Sequence, residues 1–327
     1  MNRLKRRLLL FVLLPLLASC AEEDVSEEPA FAYVESHYRM NDGTVGAYPD
    51  DRQAPRLSES LGQYLEYLVS VGEQTLYEEQ VKRLEDDFLA DTPAGSAVRW
   101  ELNEGASANA LIDDVRIAAA LRDGAEKFKK PAYGELAERI LLTIRTNQLN
   151  DGVITDFLSW DEKQAHAAET VTLSYLTPDF FSLFPDAEAN RRLLEDMPGG
   201  DPFFPETYQV ASAEWVLKSE IHMVDQLLIA NNRSALGIDS PEFKEWLIRE
   251  WSENGRLSGR YVRESGKPVE GYEALSVYAL AVEYLESEEE KETASEIRSH
   301  ADGIVGEGPP SGLHVFDYLY YLRMNRL

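Results

Sequence analysis

A chain of 327 residues with 59 acidic and 32 basic side chains carries a formal charge of −27 at pH 7. Such a surface repels nucleic acid and other polyanions, and no basic patch offsets it, so a neutral or cationic partner fits better. A single cysteine excludes an intramolecular disulfide, and five histidines without HxH or HExxH spacing point to no metal site and no cofactor.

The N-terminus supplies an address. "MNRLKRR" is a basic start, "LLLFVLLPLL" is a short apolar run, and "LASC" closes it with small residues before Cys20. The run is too short for a comfortable membrane span, so residues 1–19 read as a signal peptide. The ending resembles a bacterial lipobox, whose cysteine is lipidated and becomes the mature N-terminus. That implies lipidation of Cys20, a membrane anchor and an extracytoplasmic location. Residues 20–30 then read as the lipidated start and an acidic tether. Residues 1–19 hold Arg3, Lys5, Arg6 and Arg7 and no acid, so the mature chain keeps 28 basic and 59 acidic residues, a formal charge of −31. Residues 31–327 are expected to form one domain, monomeric.

Helical periodicity dominates the remainder. The apolar spacing predicts helices over 58–71, 76–90, 108–128, 132–148, 178–184, 187–196, 212–232, 241–253, 270–286, 289–303 and 312–325. Turn signals such as "DTPAG", "NDG", "MPGGDP" and "EGPPSG" separate them. Only 153–158 ("VITDFL") and 169–176 ("ETVTLSYL") have strand character, which suggests a small β insertion. Helices with short connectors and no clear repeat period suggest an all-α toroid of helical pairs over a solenoid.

Chemistry is sought in carboxylates placed among apolar residues. In "SESLGQYLEYL" (58–68), Leu61, Leu65 and Leu68 continue the buried stripe begun by Leu57, while Glu59, Gly62 and Gln63 form a small polar strip beside it. In 108–128, Asp113 and Asp114 point about 100° apart, and Asp114 lies on the apolar line of Leu111, Val115, Ala118 and Leu121. They are either first-turn acids favoured by the helix dipole or carboxylates lining a cleft. In 212–232, Asp225 sits within the expected stripe of Ile221, Val224 and Leu228, where it needs a partner or a proton. Glu220 and His222 are its flanking alternatives. Tyr272 and Glu273 are expected to open the helix over 270–286. Carboxylates with abundant Tyr and Trp suit a sugar-cleaving cleft, and Tyr64, Trp100, Tyr208 and Tyr272 are stacking candidates.

Three segments resemble glycoside hydrolase family 8, the inverting β-1,4-glycanases with an (α/α)6 barrel. "SESLGQYLEYLV" is similar to the family segment "SEGQSYGM", which implies that Glu59 is the general acid. "ANALIDDVRIAAAL" resembles the signature A-S/T-D-A/G-D-x-x-I-A-x-A-L, with its second aspartate on Asp114 and its first on Ile112. "KSEIHMVDQLLIA" falls where the family carries its base, but that position holds Ser219, and the usual arginine is His222. The base is therefore not inherited. Asp225 is the candidate from the residues themselves, followed by Asp114 and Glu220, with Gln63 and Asp113 as sugar-binding neighbours. The pattern looks most like a divergent branch, lipoproteins associated with bacterial exopolysaccharide and biofilm production.

The resulting expectation is a membrane-anchored glycoside hydrolase acting on a neutral or amino-sugar-containing exopolysaccharide, alongside its synthesis machinery. The alternative is a non-catalytic polysaccharide-binding lipoprotein, favoured by Ile112 and Ser219. A polysaccharide lyase would need basic residues for uronic acids, which the charge opposes.

Overall fold

The computed structural model describes residues 30–326 apart from 104, 200, 270, 271 and 307. The expected signal peptide, Cys20 and the tether up to residue 29 lie outside the described residues. Helix α1 (Ala30–His37) opens the described chain.

Eleven further helices follow: α2 (Ser58–Val71), α3 (Gln74–Arg83), α4 (Leu111–Lys127), α5 (Pro131–Asn147), α6 (Pro178–Leu183), α7 (Glu188–Glu195), α8 (Met223–Ala235), α9 (Pro241–Asn254), α10 (Leu275–Ser287), α11 (Lys291–Val305) and α12 (Val315–Met324). The even-numbered helices form an inner ring. α2 packs on α4, α4 on α6, α8 on α10, α10 on α12, and α12 returns to α2. Between α6 and α8 the ring is completed by a 3₁₀ turn, Leu173–Tyr175, which packs on α8. The odd-numbered helices from α3 onward cover this ring, giving the all-α, (α/α)6 architecture that the sequence predicts.

The amphipathic stripes explain the packing. Leu61, Leu65 and Leu68 of α2 meet Val115, Ile117 and Leu121 of α4 in one core, and each is at most 3 % exposed. Burying such side chains contributes about 1.5–3 kcal/mol apiece. Gly62 sits at this contact, since a Cβ there would lie 3.1 Å from Ile117 Cγ1. Its small size therefore serves helix packing.

Two kinds of connection alternate around the ring. Inner helices pass to outer ones through 72–73, 128–130, 184–187, 236–240 and 288–290. Outer helices return to inner ones through 84–110, 148–177, 196–222, 255–274 and 306–314. Every strand among the described residues lies in these returning segments, in sheets of two or three antiparallel strands. The β structure is thus distributed over one end of the barrel and is not a single insertion.

Several expected boundaries move for identifiable reasons. Residues 153–158 split into Val153–Ile154, paired with Leu149–Asn150, and the start of Leu158–Trp160, paired with Ala165–Ala167. The stretch 212–232 is helical only from Met223. Before it, Glu214–Val216 pairs with Thr207–Gln209, and Glu220–His222 pairs with Arg260–Val262. Ile221 is therefore buried from a strand, and the buried face of α8 is Met223, Leu227 and Ala230. Residues 76–90 form α3, a π turn (Leu84–Phe88) and the start of a strand at Leu89. α10 starts only at Leu275, which leaves Tyr272 and Glu273 in the preceding loop.

Candidate active site

Because all inner helices run the same way, their first turns gather at the end that carries the long segments. Glu59 of α2, Asp113 of α4, Asp225 of α8 and Asp317 of α12 are all first-turn acids, a placement the helix dipole favours. Ser58 ties two elements together: its N–H donates to Trp100 O at 2.9 Å, and its Oγ donates to Asp113 Oδ2 at 2.7 Å.

Glu59 is half-buried, and none of the hydrogen bonds found among the described residues reaches its carboxyl. Burial and the neighbouring Asp113 push it up to about 7, with Asp317 adding to the rise and Arg116 opposing it. A carboxyl that keeps its proton near neutrality is suited to donate one. Asp113 is 5 % exposed. Burial raises it too, while Arg116 and the Ser58 hydroxyl favour its charged form.

Asp114 points away from this group. It is 1 % exposed and accepts from Asn109 Nδ2 at 2.6 Å, while its Oδ1 has no partner. Asn109 also donates to Gln148 Oε1 at 2.7 Å, and Gln148 Nε2 donates to Thr155 O at 2.8 Å. Burial lifts Asp114 well above the usual carboxylate range, as expected for a group with one hydrogen bond and no cation. Asp114 is thus enclosed in a buried network, while Asp113 is the aspartate of this helix that acts on Glu59.

The facing wall comes from α8 and the loops before it. Asp225 Oδ1 accepts from Ser174 Oγ at 2.7 Å, and Oδ2 lies 3.6 Å from His222 Nδ1, with 28 % of the side chain exposed. Burial raises its carboxyl; Ser174, His222 and Lys218 pull it back, and Glu206 raises it further. A cleft of about 470 Å³ opens here, lined by Glu206, Lys218, His222, Asp225 and Arg260. Glu206 is fixed beneath it, accepting from the His222 N–H at 2.7 Å and facing Lys218 Nζ at 3.1 Å. Glu220 also lines this cleft and is paired with Arg260 at 2.9 Å, whereas Asp225 has no Lys or Arg partner there among the described residues.

Two residues that sequence reasoning missed join the walls. Asp156, 8 % exposed, accepts from Thr170 Oγ1 at 2.5 Å and from the Thr172 N–H. Tyr175, half-buried on the 3₁₀ turn, has its phenol raised by burial and then by Asp113, Asp156, Asp225 and Glu59. One hydroxyl thus stands in the field of carboxylates from both sides. The available signal for Asp156 was an acid inside the apolar run "VITDFL"; Tyr175 offered none.

The remaining candidates divide. Trp100 is 43 % exposed at the rim, beside the start of α2, and Tyr272 is 49 % exposed against Gly259. Tyr208 is half-buried, edge-on to Trp215 at 5.2 Å. Tyr64 is fully buried and donates to Glu35 Oε1 at 2.9 Å, so it has no face to offer a sugar. Gln63 is 5 % exposed and lines a different cavity from the one at Asp225, with Tyr67, Ser70 and Arg326. Among the described residues no group of His, Cys, Asp and Glu is arranged to hold a metal ion, and no helix is long and apolar enough to cross a membrane.

No family model matches the chain. The Bacillus subtilis (strain 168) protein named "Putative lipoprotein YdaJ" is 32 % identical over 305 residues, covering 86 % of this chain and 82 % of that one. PssZ from Listeria monocytogenes superposes with a TM-score of 0.83 at 29 % identity, covering 91 % of this chain and 94 % of that chain. An α-amylase from Clostridium perfringens gives 0.77 at 17 % identity, over 90 % and 95 % of the two chains. The endoglucanase Cel10 of Klebsiella pneumoniae, a family 8 glycosyl hydrolase, gives 0.66 at 12 % identity, over 91 % and 98 %. The chain shares the (α/α)6 fold of family 8 glycosyl hydrolases, and by its likeness to YdaJ it belongs to the same family as that protein.

Proposed function

We propose that this protein is a membrane-anchored, extracytoplasmic glycanase that cleaves a secreted polysaccharide with inversion. The observation that supports the reading is Tyr175, whose phenol is raised by burial and then by Asp113, Asp156, Asp225 and Glu59, acids from both walls. Glu59, protonated up to about pH 7, gives its proton to the glycosidic oxygen as the bond to the anomeric carbon breaks. Asp225 takes a proton from a water on the opposite ring face, and that water's oxygen forms the new bond. Inversion of this kind needs carboxyl groups about 6.5–9.5 Å apart. Asp156 is the weaker base, because both of its oxygens are occupied by Thr170 and Thr172, whereas Asp225 Oδ2 is partly open. Asp113 and Tyr175 would hold sugar hydroxyls, with Trp100 and Tyr272 as platforms at the rim.

A non-catalytic, polysaccharide-binding role is the second reading, and Ile112 at the signature's first aspartate is what favours it. Asp113, one residue later, places a carboxylate beside Glu59, which supports catalysis instead. The acidic surface suits a neutral or amino-sugar polymer. Incubating the polysaccharide with wild type, Glu59→Gln and Asp225→Asn and counting reducing ends separates the readings. New ends from wild type alone support the glycanase; polymer binding by all three proteins without new ends supports the second reading.

A further inference from the structure

Burial alone does not explain why Glu59 is suited to hold the proton, because Asp113 beside it is the more buried of the two. The charge of Asp113 raises Glu59, so the two carboxyls do not ionise independently and something must decide which one is charged. Their surroundings differ in kind. Asp113 Oδ2 accepts from Ser58 Oγ at 2.7 Å, and its Oδ1 faces Arg116 Nη1 at 3.5 Å. Both donors favour the anion, and Glu59 receives neither.

Arg116 is placed to act mainly on this pair. Its side chain is 11 % exposed, so water screens its charge little, and its other acidic contact, Glu66, is more distant at 4.0 Å. The other groups facing the site are Asp317 from α12 and Tyr175 from the 3₁₀ turn, with Tyr320 and Glu66 around Arg116 itself. Asp317 adds negative charge, and the neutral phenols add none. Arg116 is the cation of this group.

We propose that Arg116 is a positioning residue that decides which carboxyl carries the proton: it anchors the negative charge on Asp113, and the proton stays on Glu59. This rests on the reading of Glu59 as the general acid, and it names what keeps the neighbouring Asp113 charged while that acid holds the proton. The charge logic gives opposite signs for two substitutions. Removing the cation raises the proton affinity of the pair as a whole. Removing the Asp113 charge lowers the affinity of Glu59.

The test is a ¹³C-detected titration of side-chain carboxyls in the whole protein, with Glu59→Gln and Asp113→Asn identifying the two resonances. The wild-type Glu59 midpoint is expected near 7. Arg116→Met should raise the Asp113 midpoint by about one unit, and by more than that of Glu59, so that the two carboxyls share the proton. Asp113→Asn should lower Glu59 by a similar amount, and Arg116→Lys should stay close to wild type. If Arg116→Met does not fold, Arg116→Gln carries the same expected rise of Asp113. A rise of Glu59 as large as that of Asp113, or no shift of either in the Arg116 variants, overturns the proposal. The titration needs no substrate. A protein that releases no oligosaccharide contradicts the glycanase reading, whereas an Asp113 that does not rise above Glu59 contradicts only the role given to Arg116.

Discussion

At one end of the barrel the chain turns back within 72–73, 128–130 and 288–290; at the other it runs through 84–110, 148–177, 196–222 and 255–274 before starting the next inner helix. The closed end has little besides packing and capping to do. The open end collects the first turns of the inner helices, the short sheets, the exposed Trp100 and Tyr272, and the acids Glu59, Asp113, Asp156 and Asp225. Direction produces the difference: parallel inner helices deliver their N-termini to one face, where first-turn acids are favoured and long loops have space. Substitutions at the open end should therefore cost activity, and those at the closed end should cost stability.

The largest effect expected is on activity. Glu59→Gln and Asp225→Asn should each lower oligosaccharide release by about 10²–10⁴-fold, the usual contribution of a positioned acid or base, with the thermal midpoint not lowered. A comparable loss from a closed-end substitution would break the contrast.

The next effect links the site to stability. Glu59 holds its proton more tightly in the folded protein (about 7) than at its ordinary value of 4.5. Its contribution to stability is therefore complete below about pH 4.5 and is lost as pH rises through 7. Glu59→Gln has no such loss, so it should gain on wild type across that window, by about 1–3 kcal/mol at pH 8. Urea unfolding at pH 5 and pH 8 measures this, and a difference that does not grow with pH contradicts it. The same ionisation should lower catalysis above about pH 7.

Closed-end substitutions provide the converse. A Cβ at Gly124 would overlap the Tyr77 ring, so Gly124→Ala should destabilise by about 1–3 kcal/mol, with activity per folded molecule unchanged. Gly72 ends α2 at φ +85°, where a side chain is strained, so Gly72→Ala should cost about 1 kcal/mol in the same assay. The smallest effect is expected at the rim: Trp100→Ala should raise KM by about 2–10-fold with kcat little changed, as for loss of one aromatic contact.

How much of this was legible depended on whether a signal was local. Helix α2 reads correctly from Leu61, Leu65 and Leu68, and the resemblance there singled out Glu59. The wall carrying Asp225 did not read as well. Ile221, Val224 and Leu228 mimic a helical stripe, but Glu220–His222 is held extended by Arg260–Val262, a partner distant in sequence. Asp114 lies on the apolar line of the helix and is held in a buried network through Asn109 and Gln148, whereas Asp113, one residue earlier, turns to Ser58 and Arg116. Tyr175 lies on a 3₁₀ turn in a stretch that looks like a strand, so its position among the acids emerges only from the closed ring.

The central claim is that Glu59 and Asp225 act as acid and base across one cleft. The most direct test is the time course of anomeric proton signals as wild type cleaves the polysaccharide, with Glu59→Gln alongside. The account predicts that the first product from wild type carries the anomeric configuration opposite to the cleaved linkage, and that Glu59→Gln releases none. Product that retains the configuration, or equal release by Glu59→Gln, would contradict it.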